Sequence, residues 1–354
     1  MSAGFDASWE PDVFGGTRAA AAAATADVGA AIEDLYGAQV TLTAEVAREY
    51  VDLRTLQARV SIARQNEASQ AETLQLTQFR AQAGLVSDTD VEQARANLEQ
   101  TRAQIPSLDE GISQALHRLS VLAGQEPTAL TAELSRGAAL PAVPSRITVG
   151  IPADTLRQRP DVRGAEQRVI AATARVTEAA ARRYPQFSLS GSVGVEMVTG
   201  ALTGGTSLAA SAAESVFRTI FDGGRIRQQI AVQSAAQEQA VVSYEATALT
   251  ALEDVENALV AFDSSRRRIE SLTAAANAAN TAAQLSQQQY AAGLTDFQRV
   301  LDTQRTVLSV QDSLAATEGE RLTALIRLYK AIGGGWSPAA ATTSTHRSMG
   351  SKAS

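Results

Sequence analysis

The sequence predicts a mainly α protein with a small β part: long antiparallel helical hairpins in two quasi-equivalent halves, plus a β-hairpin. Three observations carry this. Apolar residues recur at three- and four-residue spacing through runs far longer than an ordinary globular helix of roughly 8–20 residues. Residues 186–221 alternate with a period of two instead. The chain also repeats itself: Ala83-Gly84-Leu85-Val86-Ser87 returns as Ala292-Gly293-Leu294-Thr295-Asp296, an offset of 293 − 84 = 209. The same offset pairs Val46 with Val255, Val51 with Val260, Val91 with Val300, Leu119 with Leu328 and Gly124 with Gly333. A register this long marks a duplicated half rather than a solenoid repeat.

The chain opens with Phe5, Ala7 and Trp9 in alternation, broken by Pro11 and Gly15-Gly16. Two readings stand for residues 1–17, the end of a strand or a disordered terminus. From Arg18 to Gln82 the pattern is helical, with Leu35, Val40, Leu42, Val46, Tyr50, Val51, Leu53, Leu56 and Val60 at helical spacing and no proline. At 1.5 Å per residue this is about 95–100 Å of helix, with a candidate break at Tyr36-Gly37; a coiled coil and a helical barrel are the two options. The chain reverses at Gly84, and Ser87 or Asp88 caps the return. That return helix runs to Leu122, with Pro106 expected to kink or split it, and stops at Gly124 and Pro127.

Residues 128–160 hold Pro141, Pro144, Pro152 and Pro160 and read as an irregular connector with at most short helices. Pro160 and Asp161 start a new helix that ends before Pro185. In the alternating region Phe187, Leu189, Val193 and Val195 point one way, and Ser188, Ser190, Ser192 and Glu196 the other. A Gly/Thr turn at 199–206 leads to a second strand, 207–221. Such a pair fits either a membrane-barrel hairpin or an ordinary ribbon packed on helices. Phe221-Asp222-Gly223-Gly224-Arg225 repeats the corner Phe14-Gly15-Gly16-Thr17-Arg18 at an offset of 207. A second long helix runs from Arg225 to Ala291, turns at Gly293, and returns from Phe297 to Ile332. The Ala/Thr/Ser-rich residues 339–354 read as disordered.

Composition narrows the chemistry. Alanine dominates, aromatics are only 5% and the net charge is −7 with only two lysines, Lys330 and Lys352. Closely approaching helices fit this better than a bulky core, and no clustered basic face suggests nucleic acid. There is no cysteine, which removes disulfides, thiolate zinc sites and thiol catalysis; a lipidated cysteine is not expected within these residues. No apolar run is long enough for a transmembrane helix, which says nothing of a β-barrel. The amino terminus lacks the pattern of a signal peptide. His117 lies mid-helix without a catalytic neighbour pattern and His346 sits in the tail. The glycine runs lack P-loop and dinucleotide spacings, and no ligand spacing suggests a metal. An enzyme is not expected, nor any cofactor.

Seven motifs then align with a known family: Ser8-Trp9-Glu10-Pro11-Asp12-Val13-Phe14-Gly15; Leu156-Arg157-Gln158-Arg159-Pro160-Asp161-Val162-Arg163; Tyr184-Pro185-Gln186-Phe187-Ser188-Leu189-Ser190-Gly191; Ile220-Phe221-Asp222-Gly223-Gly224-Arg225; Tyr290-Ala291-Ala292-Gly293-Leu294; Val300-Leu301-Asp302-Thr303-Gln304-Arg305; and Leu328-Tyr329-Lys330-Ala331-Ile332-Gly333-Gly334-Gly335-Trp336. The chain resembles the TolC family of outer-membrane efflux channels, in its branch of OprM- and NodT-like lipoproteins. The resemblance implies a homotrimer forming one tunnel, a β-barrel in the outer membrane of a Gram-negative bacterium and an α-barrel across the periplasm. It implies a passive exit duct of an RND-type multidrug efflux or type I-like export system, docked to a periplasmic adaptor and an inner-membrane pump.

On this resemblance Gly84, Leu85, Val86, Gly293, Leu294 and Thr295 form the adaptor-docking tip. Asp302 matches the aspartate of the periplasmic gate, and Arg305 its partner one turn along. Three copies of Asp302 around an axis would make a cation-selective ring; Arg299 stands where some members carry a second aspartate. Phe14, Gly15, Phe221, Gly223 and Gly224 are the strand–helix corners. Residues 1–17 become a remnant of an outer-membrane strand, 18–127 the first hairpin repeat, 128–185 the connector and short helix of the equatorial region, 186–221 the barrel hairpin, 222–336 the second repeat and 337–354 the tail. Family members carry four strands, a signal sequence and, in this branch, a lipidated cysteine, so an amino-terminal truncation is expected, leaving a chain that cannot close a membrane barrel alone. The alternatives are a soluble periplasmic coiled-coil scaffold or a non-functional truncated channel fragment; the strand pair discriminates, since a plain scaffold has no use for it.

Overall fold

A computed structural model describes residues 2–143, 157–198, 205–217 and 221–334. Its elements in order are β1 (Ser2–Trp9), α1 (Gly16–Gln82), α2 (Asp88–Leu122), α3 (Thr131–Leu134), α4 (Pro160–Ala181), β2 (Gln186–Val198), β3 (Gly205–Phe217), α5 (Arg225–Ala291) and α6 (Phe297–Ala331). The duplication is plain in their lengths. The helices α1 and α5 each have 67 residues, and α2 and α6 each have 35. Part of the Gly/Thr turn (199–204), residues 218–220 of the second strand, connector residues 144–156 with Pro144 and Pro152, and everything from Gly335 on, including Trp336, His346 and the tail, lie outside the described residues.

Three expectations change. The first strand is eight residues long and fully paired, more than a strand end. Helix α1 passes Tyr36-Gly37 unbroken, although the chain divides into two compact units between Gly37 and Ala38. Helix α2 runs through Pro106 without splitting. A single proline removes one backbone bond, and the buried residues Ala94 and Leu98 before it and Leu116 and Leu119 after it hold the helix down on both sides.

The first unit comprises residues 1–37 and 160–250. Its sheet has the order β1-β2-β3, all antiparallel. Helices α1 and α4 meet along an alanine seam. Ala19, Ala23, Ala26 and Ala30 are buried on one, Ala165, Ala172 and Ala179 on the other. The approach is close: a Cβ on Gly16 would lie 3.2 Å from that of Ala181. Ion pairs flank the seam, Glu33 to Arg163 at 2.6 Å, Asp34 to Arg168 at 2.7 Å, and Asp27 to Arg175.

The second unit comprises residues 38–159 and 251–354. Away from the glycine turns, its apolar clusters are Leu53, Ala115, Leu116 and Leu119, and Val255, Ala258, Leu328 and Ala331. Arg159 is buried against the second. It donates to the carbonyls of Ala251 and Ala331 at 3.4 and 3.0 Å and to Asp254 at 3.2 Å, and so caps the end of α6. Where α1 crosses α6 there is no room: a Cβ on Gly319 would lie 2.3 Å from Thr55 Oγ1. Nearby, Arg59 holds Asp312 with two bonds of 2.7 and 3.0 Å.

Candidate functional site

The site belongs to the second unit and is built on the two glycine turns. Each long helix ends in the same paired-bond stop. Gly84 donates to Ala81 O at 2.8 Å and Leu85 to Arg80 O at 2.9 Å; Gly293 donates to Tyr290 O at 3.0 Å and Leu294 to Gln289 O at 2.8 Å. This stop needs a left-handed residue, and the glycines supply it with φ of 72° and 74°. The return helices start on side-chain caps. Ser87 accepts from Asp90 N at 3.3 Å and its own N–H donates to the Asp90 carboxylate at 3.1 Å, a reciprocal box. Asp296 accepts from Arg299 N at 3.0 Å.

What the turns present is apolar. Leu85 is 66% exposed and Leu294 79%. The residue after the left-handed glycine usually packs back on its helix, but here the position it would meet is Arg80 or Gln289, so both leucines face outward. Val86 and Thr295 are half-buried. Beneath them Tyr290, Phe297, Val300, Leu301 and Ala94 form a compact core, with Leu74 and Val86 against it. The Tyr290 and Phe297 rings are 5.6 Å apart and tilted.

Arg80 joins the two turns. Its guanidinium lies 4.5 Å over the Tyr290 ring and donates to the Tyr290 carbonyl. It also reaches within 3.7 Å of where a Gly293 Cβ would be. Sequence reading missed this staple, because its partners are 210 residues apart and neither is unusual locally. It missed a second feature too. Asn66, Gln70, Thr73 and Thr77 are all buried on α1. Asn66 bonds Gln311, which bonds Asn280, each at 3.0 Å; Gln304 donates to Thr73 at 2.7 Å. The signal was present: these polar residues continue the three- and four-residue row of Val60 and Ala63.

The remaining site residues fall as follows. Asp302 is exposed and accepts from Gln298 at 3.1 Å, while Arg305 donates to Asn97 of α2 at 3.1 Å. The two are not paired to each other within one chain. At the corners, Phe14 stacks on Tyr184 with centroids 4.6 Å apart. Gly15, Gly223 and Gly224 all have positive φ. Asp12 accepts from the backbone of Thr17 and Arg18, and Asp222 from that of Gly224 and Ile226. These backbone bonds hold both carboxyls below the usual aspartate value. Phe221 stands fully out in solvent.

The sheet has two unlike faces. In register, Phe5 pairs with Val193 and Trp9 with Leu189, whereas Asp6 pairs with Ser192 and Ser8 with Ser190. Ser188 and Ser215 share a bond of 2.6 Å on the polar face. The apolar face is uncovered: Phe5 is 87% exposed and Trp9 64%. Among the described residues no cluster could hold a metal ion, and no helix is long and apolar enough to cross a membrane.

Known proteins agree with this architecture. Residues 1–125 and 151–334 match the family described as outer membrane efflux protein. The chain is 33% identical over 336 residues to nodulation protein T of Rhizobium leguminosarum bv. viciae, covering 93% of this chain and 68% of the relative. It is 33% identical over 332 residues to outer membrane protein OprJ of Pseudomonas aeruginosa, with shares of 93% and 68%. Among solved structures, the outer-membrane channel OprN superposes with a TM-score of 0.89 at 37% identity, over 94% of this chain and 75% of that one. The chain therefore belongs to the outer membrane efflux protein family, whose members are channel components of efflux systems rather than enzymes.

Proposed function

We propose that three copies of this chain form an exit duct in an outer membrane, with the helices extending into the periplasm. The observation that carries this is the two-faced sheet. A sheet with serines on one side and uncovered Phe5, Trp9, Leu189 and Val193 on the other suits a barrel wall between water and lipid. Its outer strands β1 and β3 each have a free edge among the described residues, and edges vanish only by pairing with a further strand. A soluble scaffold has no use for such a sheet.

The tip is the docking surface in this reading. Gly84, Leu85, Val86, Gly293, Leu294 and Thr295 receive a periplasmic adaptor, which links the duct to an inner-membrane pump. Asp302 and Arg305 form the gate. Asp302 is exposed, bonded to Gln298 and not to Arg305, which is occupied by Asn97 in the same chain, so its charge faces its copies around the axis in this reading. Phe14, Gly15, Phe221, Gly223 and Gly224 turn strand into helix at the corners. The 1–17, 186–221 and helical segments divide the labour between membrane and periplasm.

The chain's lack of cysteine makes the test direct. Thr295→Cys and Val86→Cys are introduced together, and the protein is oxidised in isolated outer membranes. A ladder ending at trimer, together with pore conductance after reconstitution in planar bilayers, supports the duct. Monomers or dimers only, with no conductance, would reject it.

A further inference from the structure

The buried amides of the second unit open onto a cleft that the tip does not use. It lies between α1, α2 and α6 and has a volume of about 590 Å³, the size of a small-molecule site. Two of the amides line it. Gln70 is 3% exposed and Asn97 4%, yet Gln70 Oε1 and Asn97 Nδ2 have no hydrogen-bond partner. Buried polar atoms are normally bonded, and two orphans lining one opening point to a ligand that enters it.

The rest of the lining says what that ligand carries. Arg305 Nε donates to Asn97 Oδ1 at 3.1 Å, which commits that oxygen and leaves Nδ2 as the donor on offer. Arg305 is exposed and makes no ion pair among the described residues. Most of its guanidinium therefore remains to bind an anion. Asp312 also lines the cleft, but Arg59 holds both of its oxygens, at 2.7 and 3.0 Å. Two donors, one of them charged, suit a carboxylate. Gln70 Oε1 only accepts, so the same ligand needs an N–H. Phosphate would leave that oxygen unpaired, and a cation would meet Arg305. The last residue of a peptide has both groups, its carboxylate and its amide N–H. The exposed amides of Gln100 and Gln104, also in the lining, pair with further peptide groups.

We infer that this cleft binds the carboxyl end of a short peptide. Arg305 and Asn97 take the carboxylate, and Gln70 accepts the N–H. The inference goes beyond the duct: it shares Arg305 with the proposed gate but needs neither a trimer nor a membrane.

The experiment titrates the full chain, solubilised in detergent, with N-acetylglycylglycine in a calorimeter. The same peptide with its carboxylate capped as an amide, and inorganic phosphate, are the comparison probes. The free carboxylate is expected to bind roughly tenfold or more tightly than the capped form, and more tightly than phosphate. Gln70→Met should weaken peptide binding roughly tenfold. It should also raise the melting temperature of the empty protein, because it removes a buried acceptor that has no partner. A purely structural Gln70 would not move the two in opposite directions. Equal affinity for the free and capped peptides, phosphate binding best, or unchanged affinity in Gln70→Met overturns the assignment. So does the absence of saturable binding, which leaves ordered water as the content of the cleft. The comparison of probes needs no variant, so it decides even if Gln70→Met fails to fold. The duct is judged separately: a chain that binds the peptide but gives no trimer ladder rejects the duct and keeps the cleft, and the reverse result keeps the duct alone.

Discussion

Replacing Arg80 by glutamine gives the first turn the residue its duplicate already has, since 80 + 209 = 289 is Gln289. The change removes a cation from the face of Tyr290 and a charged donor from the Tyr290 carbonyl. A partly buried cation–π contact contributes about 0.5–2 kcal/mol, and a hydrogen bond from a charged group about 1.5–3 kcal/mol. Against this, Arg80 Nε is buried without a partner, which costs about 1–3 kcal/mol that the variant no longer bears. The net loss is then about 2 kcal/mol, confined to the junction of the two turns. Hydrogen exchange reads it directly. The amides of Gly293 and Leu294, which close the second turn on Tyr290 and Gln289, should exchange roughly thirtyfold faster, a tenfold change being about 1.4 kcal/mol. The amides of Ala123 and Gly124, at the other end of α2, should be unchanged. Exchange at Gly293 and Leu294 within about threefold of the parent would show that Arg80 staples nothing.

Leu294→Ser and Leu85→Ser test docking without touching the glycines, where any side chain would be strained by the backbone. Each should leave trimer melting unchanged and weaken adaptor binding by the transfer of one leucine, about 1.5–3 kcal/mol; unchanged affinity in a pull-down titration would remove that leucine from the surface. Gly319→Ala pushes a methyl into Thr55 and should destabilise the protein by about 1–3 kcal/mol in thermal unfolding, with recovery when Thr55→Gly is added. Burial outweighs Arg48 and Arg327 and raises the Asp52 carboxyl above 3.8. The folded chain therefore prefers the protonated acid and loses stability as pH rises through that region. Asp52→Asn should raise the melting temperature at neutral pH, and the difference should disappear below pH 3.8; a lower melting temperature at pH 7 would mean the arginines win.

Much of this architecture is written locally. Helical period, glycine stops and the caps Ser87 and Asp296 depend on a few neighbouring residues, and the repeat at 209 ties them into two equal halves. The polar interior of α1 is less visible because it violates the pattern that reveals it. The inward row of Val60 and Ala63 continues as the buried Asn66, Gln70, Thr73 and Thr77; Gln311 meets Asn66, Gln304 and Gln287 meet Thr73 and Tyr290 meets Thr77, all from other helices, while Gln70 Oε1 is buried without a partner. Pro106 and Gly37 misled for a related reason. Each weakens a helix in isolation, while the packing that holds these helices is set by residues elsewhere in the chain.

The two halves share a backbone but not a job, and the difference can be read position by position. In the first turn the box of Ser87 and Asp90 closes on itself. In the second, the position equivalent to Asp90 is Arg299, so only the Asp296 bond remains. The second turn recovers its hold from outside, through Arg80 on Tyr290, while the first has Ala81 where Tyr290 stands in its duplicate. The first hairpin thus fixes its own turn and then fixes the other. A partner touching both Leu85 and Leu294 would meet a spacing set by one arginine, so loosening that contact moves the second leucine while the first stays capped. Duplication alone would have made two independent turns; the substitutions that broke its symmetry made them one surface.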